Sequence, residues 1–232
     1  MGILGVKLQN YSKGEIIDNV DGALQGENAK IFIVTLNPEI LLEAEKDEVY
    51  RNILNNADLK VIDGFGIKLV SWLKRKKTGD RITGADLAEY ILKKASELGL
   101  KIGLVIRKDG LSKGNELGIR NRELGIKNAT IYEFDLENPD TAVLNKHTEV
   151  ILVGLGAPWQ EKFIWKAKNK LPDLKLAIGV GGTFDYWTGK QKRAPKIMRK
   201  MGLEWLWRLI MQPKRFMRIW RATVVFLWKN AF

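Results

Sequence analysis

At 232 residues the chain has room for one large domain or a domain plus a small appendage, and with 45% hydrophobic residues it can bury a proper core, which excludes disorder as its default. It has no cysteine and one histidine, His147, which excludes disulfides, thiolate catalysis, a cysteine zinc site and any multi-histidine metal centre. The net charge of +12 is concentrated: residues 190–232 hold twelve Lys/Arg and one acid, Glu204, so the partner is a localised anion, either nucleic acid or an acidic membrane surface.

The opening residues lack the basic segment and apolar run of a secretory signal, and no stretch approaches the ~18 apolar residues of a spanning helix. The main body is therefore expected in the cytoplasm. A helix is expected around Gly14 to Gln25. The run IFIVTLN (31–37) reads as a buried strand ending at Pro38, which opens a helix-like pattern through residue 57. LKVIDGFG (59–66) reads as a second strand running into a glycine turn, followed by the helical GIKLVSWLKRKK with its basic end. Thr83 or Asp86 can cap the next helix, which Gly99 closes. KIGLVI (101–106) is a third strand, and a helix-like stretch reaches Leu124. ATIYEF (129–134), HTEVILVGLG (147–156) and LKLAIGVGG (174–182) are further strands, the last two separated by a helix from Trp159 to Leu171. His147 lies in a polar stretch before its strand and reads as a surface residue.

Strands alternating with helices predict an α/β, Rossmann-like fold with a largely parallel sheet flanked by helices. Such folds place ligands at the carboxyl ends of the strands. Four strand ends carry suitable residues: Thr35–Asn37, Asp63–Gly66, Gly154–Glu161 and Gly179–Asp185. Glycine there lets a ligand approach the main chain, and main-chain N–H groups can hold phosphate. GLGAPWQ matches neither a dinucleotide fingerprint nor a Walker loop. Asp63 is the best candidate for chemistry: it directly follows an apolar strand, where a carboxylate in a cleft can act as a base toward a hydroxyl. Asp-Gly is also a common turn pair, and spacing alone leaves both readings open.

The blocks GLGAPWQEKFI, IGVGGTFDYWTGKQKRAPK and GLEWLWRLIMQPKR resemble the signature blocks of WecG/TagA/CpsF glycosyltransferases, and TLNPE, IDGFGI and RITGADL resemble that family's N-terminal blocks. The likeness covers roughly residues 30–215 in order and is strongest toward the wall teichoic acid branch. It implies an inverting, metal-independent enzyme without a cofactor that moves N-acetylmannosamine from UDP-ManNAc to the 4-hydroxyl of GlcNAc on undecaprenyl diphosphate. UDP-ManNAcA is the alternative donor. By the same resemblance Asp63 falls at the general base, Thr35 and Asn37 at the sugar site, Arg81 at a substrate-contacting arginine and Gln160 at a donor-site glutamine. Gly154 falls among the substrate-binding residues, and Gly181, Gly182 and Asp185 fall in the block near the nucleotide. The chain departs from the family in LVIRKDGLSKG, where members often have a glycine-rich turn, and in Trp159, where many have a basic residue.

In the C-terminal segment Pro213 separates two helical patterns. Lys214, Arg218 and Arg221 share a face with Arg215 beside them, while Phe216, Trp220, Phe226 and Trp228 contribute to a broad apolar surface. This describes an interfacial helix on an anionic leaflet, with the four cations available to the membrane or to the acceptor diphosphate. The expected division is a core over 1–190 and a helical membrane-associating appendage over 191–232, on the cytoplasmic face of the membrane. A homo-oligomer is compatible with the sequence. A nucleic-acid-binding protein is the rival reading of the tail; it accounts for the charge but not for Asp63, Gln160 or the glycine turns.

Overall fold

The computed structural model describes residues 1–27, 30–136, 141–211 and 216–231. A two-stranded hairpin, β1 (Gly2–Ile3) and β2 (Val6–Lys7), precedes helix α1 (Lys13–Gln25). Ser12 caps α1 by accepting from the Glu15 N–H at 3.2 Å, and the Glu15 carboxylate returns to the Ser12 N–H at 2.7 Å. There follow β3 (Ile31–Leu36), α2 (Pro38–Lys46), α3 (Glu48–Asn55), β4 (Leu59–Ile62), α4 (Phe65–Leu73), α5 (Gly84–Glu97), β5 (Ile102–Arg107), α6 (Gly114–Glu123) and β6 (Ala129–Phe134). A 3-10 turn (Thr141–Val143) leads to β7 (Val150–Val153), α7 (Trp159–Lys170), β8 (Leu176–Gly179) and α8 (Thr183–Trp187). The chain ends in α9 (Lys196–Lys200), α10 (Glu204–Met211), α11 (Phe216–Trp220), a π turn (Arg221–Val225) and α12 (Phe226–Ala231).

Strands β3 to β8 form one six-stranded, all-parallel sheet in the order β4-β3-β8-β7-β5-β6. Every residue of β3, β4, β7 and β8 is buried, as a sheet covered on both faces requires. One face packs under α2, α3, α4 and α7, joined by Phe226 of α12; the other packs under α1, α5, α6 and α8. The α/β expectation therefore holds. His147 sits on the surface before β7, paired with Asp173 at 2.7 Å.

The strands read over 147–156 and 174–182 are shorter, 150–153 and 176–179, and two helical patterns break where the sequence reading ran them through. The pattern from Pro38 to residue 57 is two helices, because Asp47 adopts extended backbone and its carboxylate caps α3 at the Tyr50 N–H, 2.9 Å away. Lys74–Lys77 leave the helix: Arg75 has a φ of 51°, and main-chain bonds from Lys74 to Val70 and from Lys76 to Ser71 close the turn. Thr83, not Asp86, caps α5.

Residues 191–211 and 216–231 lie against the core. Arg193 and Arg199 bond Asp86, the Trp207 indole N–H donates to the Lys192 carbonyl, and Lys229 pairs with Glu45 at 2.7 Å. No helix among the described residues is long and apolar enough to cross a membrane. Of the tail cations singled out in sequence, Lys214 and Arg215 lie outside the described residues, as does Pro213, and so do the side chains of Arg218 and Arg221.

Candidate active site

The register aligns the carboxyl ends of the inner strands. Leu36 is opposite Ile62, and Val153 is opposite both Val105 and Gly179. β8, last in sequence, enters between β3 and β7, so the loops after β3, β4, β7 and β8 converge. They enclose a polar cleft of about 320 Å³ lined by Thr35, Asn37, Asp63, Gly154, Gln160, Gly181, Gly182 and Asp185. All eight are residues expected from sequence; Arg81 is not among the lining.

Each has a structural reason to be where it is. Thr35, almost fully buried, donates its hydroxyl to the Gly179 carbonyl at 3.2 Å, tying β3 to the end of β8. Asn37 caps α2 by accepting from the Ile40 N–H at 3.1 Å. Asp63 is placed by its own N–H, which donates to the Leu36 carbonyl at 2.9 Å. Gly64 then passes so close to α2 that an added Cβ would stand 2.5 Å from Pro38 Cδ, so a side chain there would force the Asp63 turn off its support.

Arg81 braces that turn from the other side. Its Nε donates to the Asp63 carbonyl at 2.9 Å and its Nη1 to the Arg199 carbonyl at 3.0 Å, linking the end of β4 to α9. It lines a second, mainly apolar groove of about 370 Å³ with Phe65, Leu69, Leu203, Trp205 and Leu227. Asp63, Asn37, Glu39 and Glu204 border both spaces.

Behind the wall of the cleft, reached through Gln160, lies a buried network that sequence reading missed. Gln160 accepts from the Gly181 N–H at 2.9 Å and donates to Glu161 at 2.7 Å. The other Glu161 oxygen accepts from the Tyr50 hydroxyl at 2.9 Å. Glu161 is wholly buried; burial pushes its pKa up, against the hydrogen bonds from Gln160 and Tyr50. Burial also pushes Tyr50 up, reinforced by the Glu161 charge, so the phenol remains a donor. The amide of Gln160 is thus fixed at both ends, with one N–H and one lone pair left to offer the cleft. Gly181 carries a φ of 51°, which turns its N–H back onto Gln160. Glu161 sits in the first turn of α7, where an acid ordinarily reads as a solvated partner of the helix dipole.

Asp185 joins the divergent loop after β5 to the site. Its carboxylate accepts from the Ser112 hydroxyl at 2.7 Å and from Gln191 at 3.2 Å. In the same loop Arg107, at the tip of β5, is engaged by Asp109 through two bonds of 3.0 and 2.6 Å. Asp109 raises the pKa of Arg107, against the effect of burial. Arg107 is the one cation among the described lining residues, which include five carboxylates (Glu39, Asp63, Asp109, Asp185 and Glu204). The cleft also receives the first turn of α5 through Gly84 and Ala85, whose N–H groups, like those of any helix start, have no intrahelical acceptor. That turn is fixed by Thr83, which caps Asp86 N–H at 3.2 Å and accepts from Arg193 at 2.9 Å. Burial would raise the Asp86 carboxyl, but the Thr83 hydroxyl with Arg193 and Arg199 overrides it and holds it below the usual range.

The arrangement supplies a carboxylate at the meeting of a polar cleft and an apolar groove, a fixed amide, and glycine turns open to a ligand. Residues 1–232 match the Glycosyl transferase WecG/TagA/CpsF family. Two similar proteins, from Staphylococcus aureus strains MRSA252 and MW2, carry the name N-acetylglucosaminyldiphosphoundecaprenol N-acetyl-beta-D-mannosaminyltransferase. Each is 30% identical to this chain over 99% of its length and 91% of theirs. With the whole chain matched and relatives aligned over 99% of it, the protein belongs to the WecG/TagA/CpsF family of glycosyltransferases.

Proposed function

We propose that the protein is an inverting glycosyltransferase that moves N-acetylmannosamine from UDP-ManNAc to the 4-hydroxyl of GlcNAc on undecaprenyl diphosphate, with Asp63 as general base and without a metal ion. The observation that carries this reading is the position of Asp63 on the border of both spaces. A nucleotide-sugar suits the polar cleft, where Gln160, the Gly181–Gly182 turn and the start of α5 offer neutral donors. A prenyl chain suits the groove walled by Phe65, Leu69, Trp205 and Leu227. An acceptor spanning the two would present its hydroxyl beside Asp63.

In this scheme the hydroxyl oxygen attacks the anomeric carbon from the face opposite UDP. Its proton passes to the Asp63 carboxylate, the bond to the diphosphate oxygen breaks, and the configuration inverts. The leaving diphosphate needs positive charge or N–H donors. Arg107 is already engaged by Asp109, so main-chain N–H groups and the cations of the C-terminal segment (Lys214, Arg215, Arg218 and Arg221) are assigned that work. The same engagement favours a neutral donor over UDP-ManNAcA, whose carboxylate would call for a cation of its own. Thr35 and Asn37 are assigned to the sugar. Arg81 is assigned to holding the Asp63 turn and facing the acceptor.

The core over 1–190 would do the chemistry, and the segment over 191–232 would complete the acceptor side at the cytoplasmic face of the membrane. Family membership favours this over the nucleic-acid reading of the tail. Incubation with a panel of UDP-sugars and a short-chain prenyl-diphosphate GlcNAc, with EDTA present, and mass analysis of the products tests it. A mass gain of one N-acetylhexosamine from UDP-ManNAc alone is expected. Transfer only from another donor, or none without added metal, would overturn it.

A further inference from the structure

Helix α4 presents two apolar faces, and the fold uses only one. Ile67 and Val70 are fully buried against the sheet. Phe65, Leu69, Trp72 and Leu73 lie at i, i+4, i+7 and i+8, a single stripe on the opposite side. Phe65 and Leu69 wall the apolar groove beside Asp63. One turn further on, the stripe emerges: Trp72 is 73% exposed and Leu73 48%. Directly after it, Lys74, Arg75, Lys76 and Lys77 are all exposed, and none of the four is ion-paired among the described residues. Their turn is hydrogen-bonded back to the helix, so the cations are displayed from a built edge.

A lone exposed tryptophan would need no explanation, but a contiguous apolar stripe marks an interaction surface. Here Trp72 stands between a continuous apolar stripe and four successive cations, the arrangement that suits the headgroup region of a bilayer, where indole and leucine enter and lysines meet anionic lipid. A nucleic acid would use the cations but would leave the stripe and the groove behind it unused.

We propose that the outer stripe of α4 and the Lys74–Lys77 turn form a docking edge for an anionic bilayer, separate from the C-terminal segment, which sets the groove beside Asp63 at membrane level. The orientation rests on the lipid-linked acceptor proposed above; the docking itself does not. The edge places the groove so that a prenyl chain can pass from the bilayer along Leu69 and Phe65 toward Asp63.

The test is flotation of the full chain with vesicles of phosphatidylglycerol and phosphatidylcholine, and with vesicles of phosphatidylcholine alone. Two variants are compared, Trp72→Ser with Leu73→Ser and Lys74→Glu with Lys76→Glu; all four positions are exposed, so folding is retained. Each variant is expected to bind the anionic vesicles about tenfold or more weakly. Melting temperature, UDP affinity and transfer to a water-soluble acceptor should not change. Flotation equal to that of the unaltered protein in both variants would overturn the proposal, because the C-terminal segment would then be sufficient. Unaltered flotation combined with lost binding of a duplex oligonucleotide in the lysine variant would replace the membrane with nucleic acid. Weakened flotation in a protein that transfers no sugar would uphold the edge and reject the proposed reaction.

Discussion

Replacing Gly179 with alanine tests the buried network behind the cleft. A Cβ on Gly179 would stand 2.6 Å from Gln160 Nε2, 2.9 Å from its Cδ and 3.1 Å from its Cγ. A free glutamine would swing away at little cost. Gln160 is held at both ends, by the Gly181 N–H and by the Glu161 carboxylate, and it is almost fully buried. Overpacking of this kind costs about 1–3 kcal/mol. Giving up a hydrogen bond to a charged group costs about 1.5–3 kcal/mol. The two are alternatives, since breaking the bonds relieves the clash, so the cheaper sets the cost, about 1–3 kcal/mol. For a chain of this length that is a fall in melting temperature of roughly 2–12 °C. Because Gln160 and the Gly181 turn move together, UDP affinity should fall about tenfold or more, the equivalent of ~1.4 kcal/mol. Thermal denaturation and calorimetric titration with UDP measure both. In a Gln160→Ala background the clash has no object, so Gly179→Ala should then cost little. Unchanged melting and UDP binding in the single variant, or an equal cost in both backgrounds, would refute the account of this network.

Three other outcomes follow from the geometry. Glu161 has its pKa raised by burial above the ordinary 4.5, so its contribution to stability is fully present below that value and is lost as pH rises through the raised one. The melting temperature of the unaltered protein relative to Glu161→Gln should therefore decline as pH is raised, and a flat difference would show that the carboxyl does not titrate with folding. Asp86 lies below its ordinary 3.8, so Asp86→Asn should melt lower at neutral pH by the equivalent of about 1 kcal/mol or less, given the half-exposed side chain, with the gap closing as pH falls through the lowered value. Arg81→Lys replaces a planar fork with a point charge that cannot reach both the Asp63 and Arg199 carbonyls. It should lower kcat about tenfold or more while UDP affinity is retained; matching losses in both would place Arg81 on the nucleotide instead.

The strands that build the site were readable because they are buried on both faces. IFIVTL, VILV and LAIG are apolar runs in which Thr35 is the one polar side chain, and the polar residues that follow them had to lie at the sheet's carboxyl edge. What the runs do not encode is their order. Nothing local places β8 between β3 and β7, yet that insertion brings the Gly179 carbonyl to Thr35 and Gly181 to Gln160. Glu161 was hidden for a related reason: only the packing of α3 on α7, bringing Tyr50 across 111 positions, turns an ordinary first-turn acid into a buried one. Arg81 entered the site through the resemblance alone, and its two carbonyl partners, at Asp63 and on α9 far along the chain, are contacts that no local pattern encodes. The break at Asp47 was masked by apolar residues that keep near-helical spacing across it, while the side-chain cap that starts α3 is a local competition the periodicity does not register.

The most direct measurement is single-turnover transfer by Asp63→Asn, with UDP binding followed in parallel. The asparagine keeps the size of the side chain and its place between cleft and groove, and removes only the capacity to accept the proton. A drop of about 10²–10⁴-fold in transfer rate with UDP affinity intact is expected. Transfer at the unaltered rate would mean that another group takes the proton, and the assignment of Asp63 would fall.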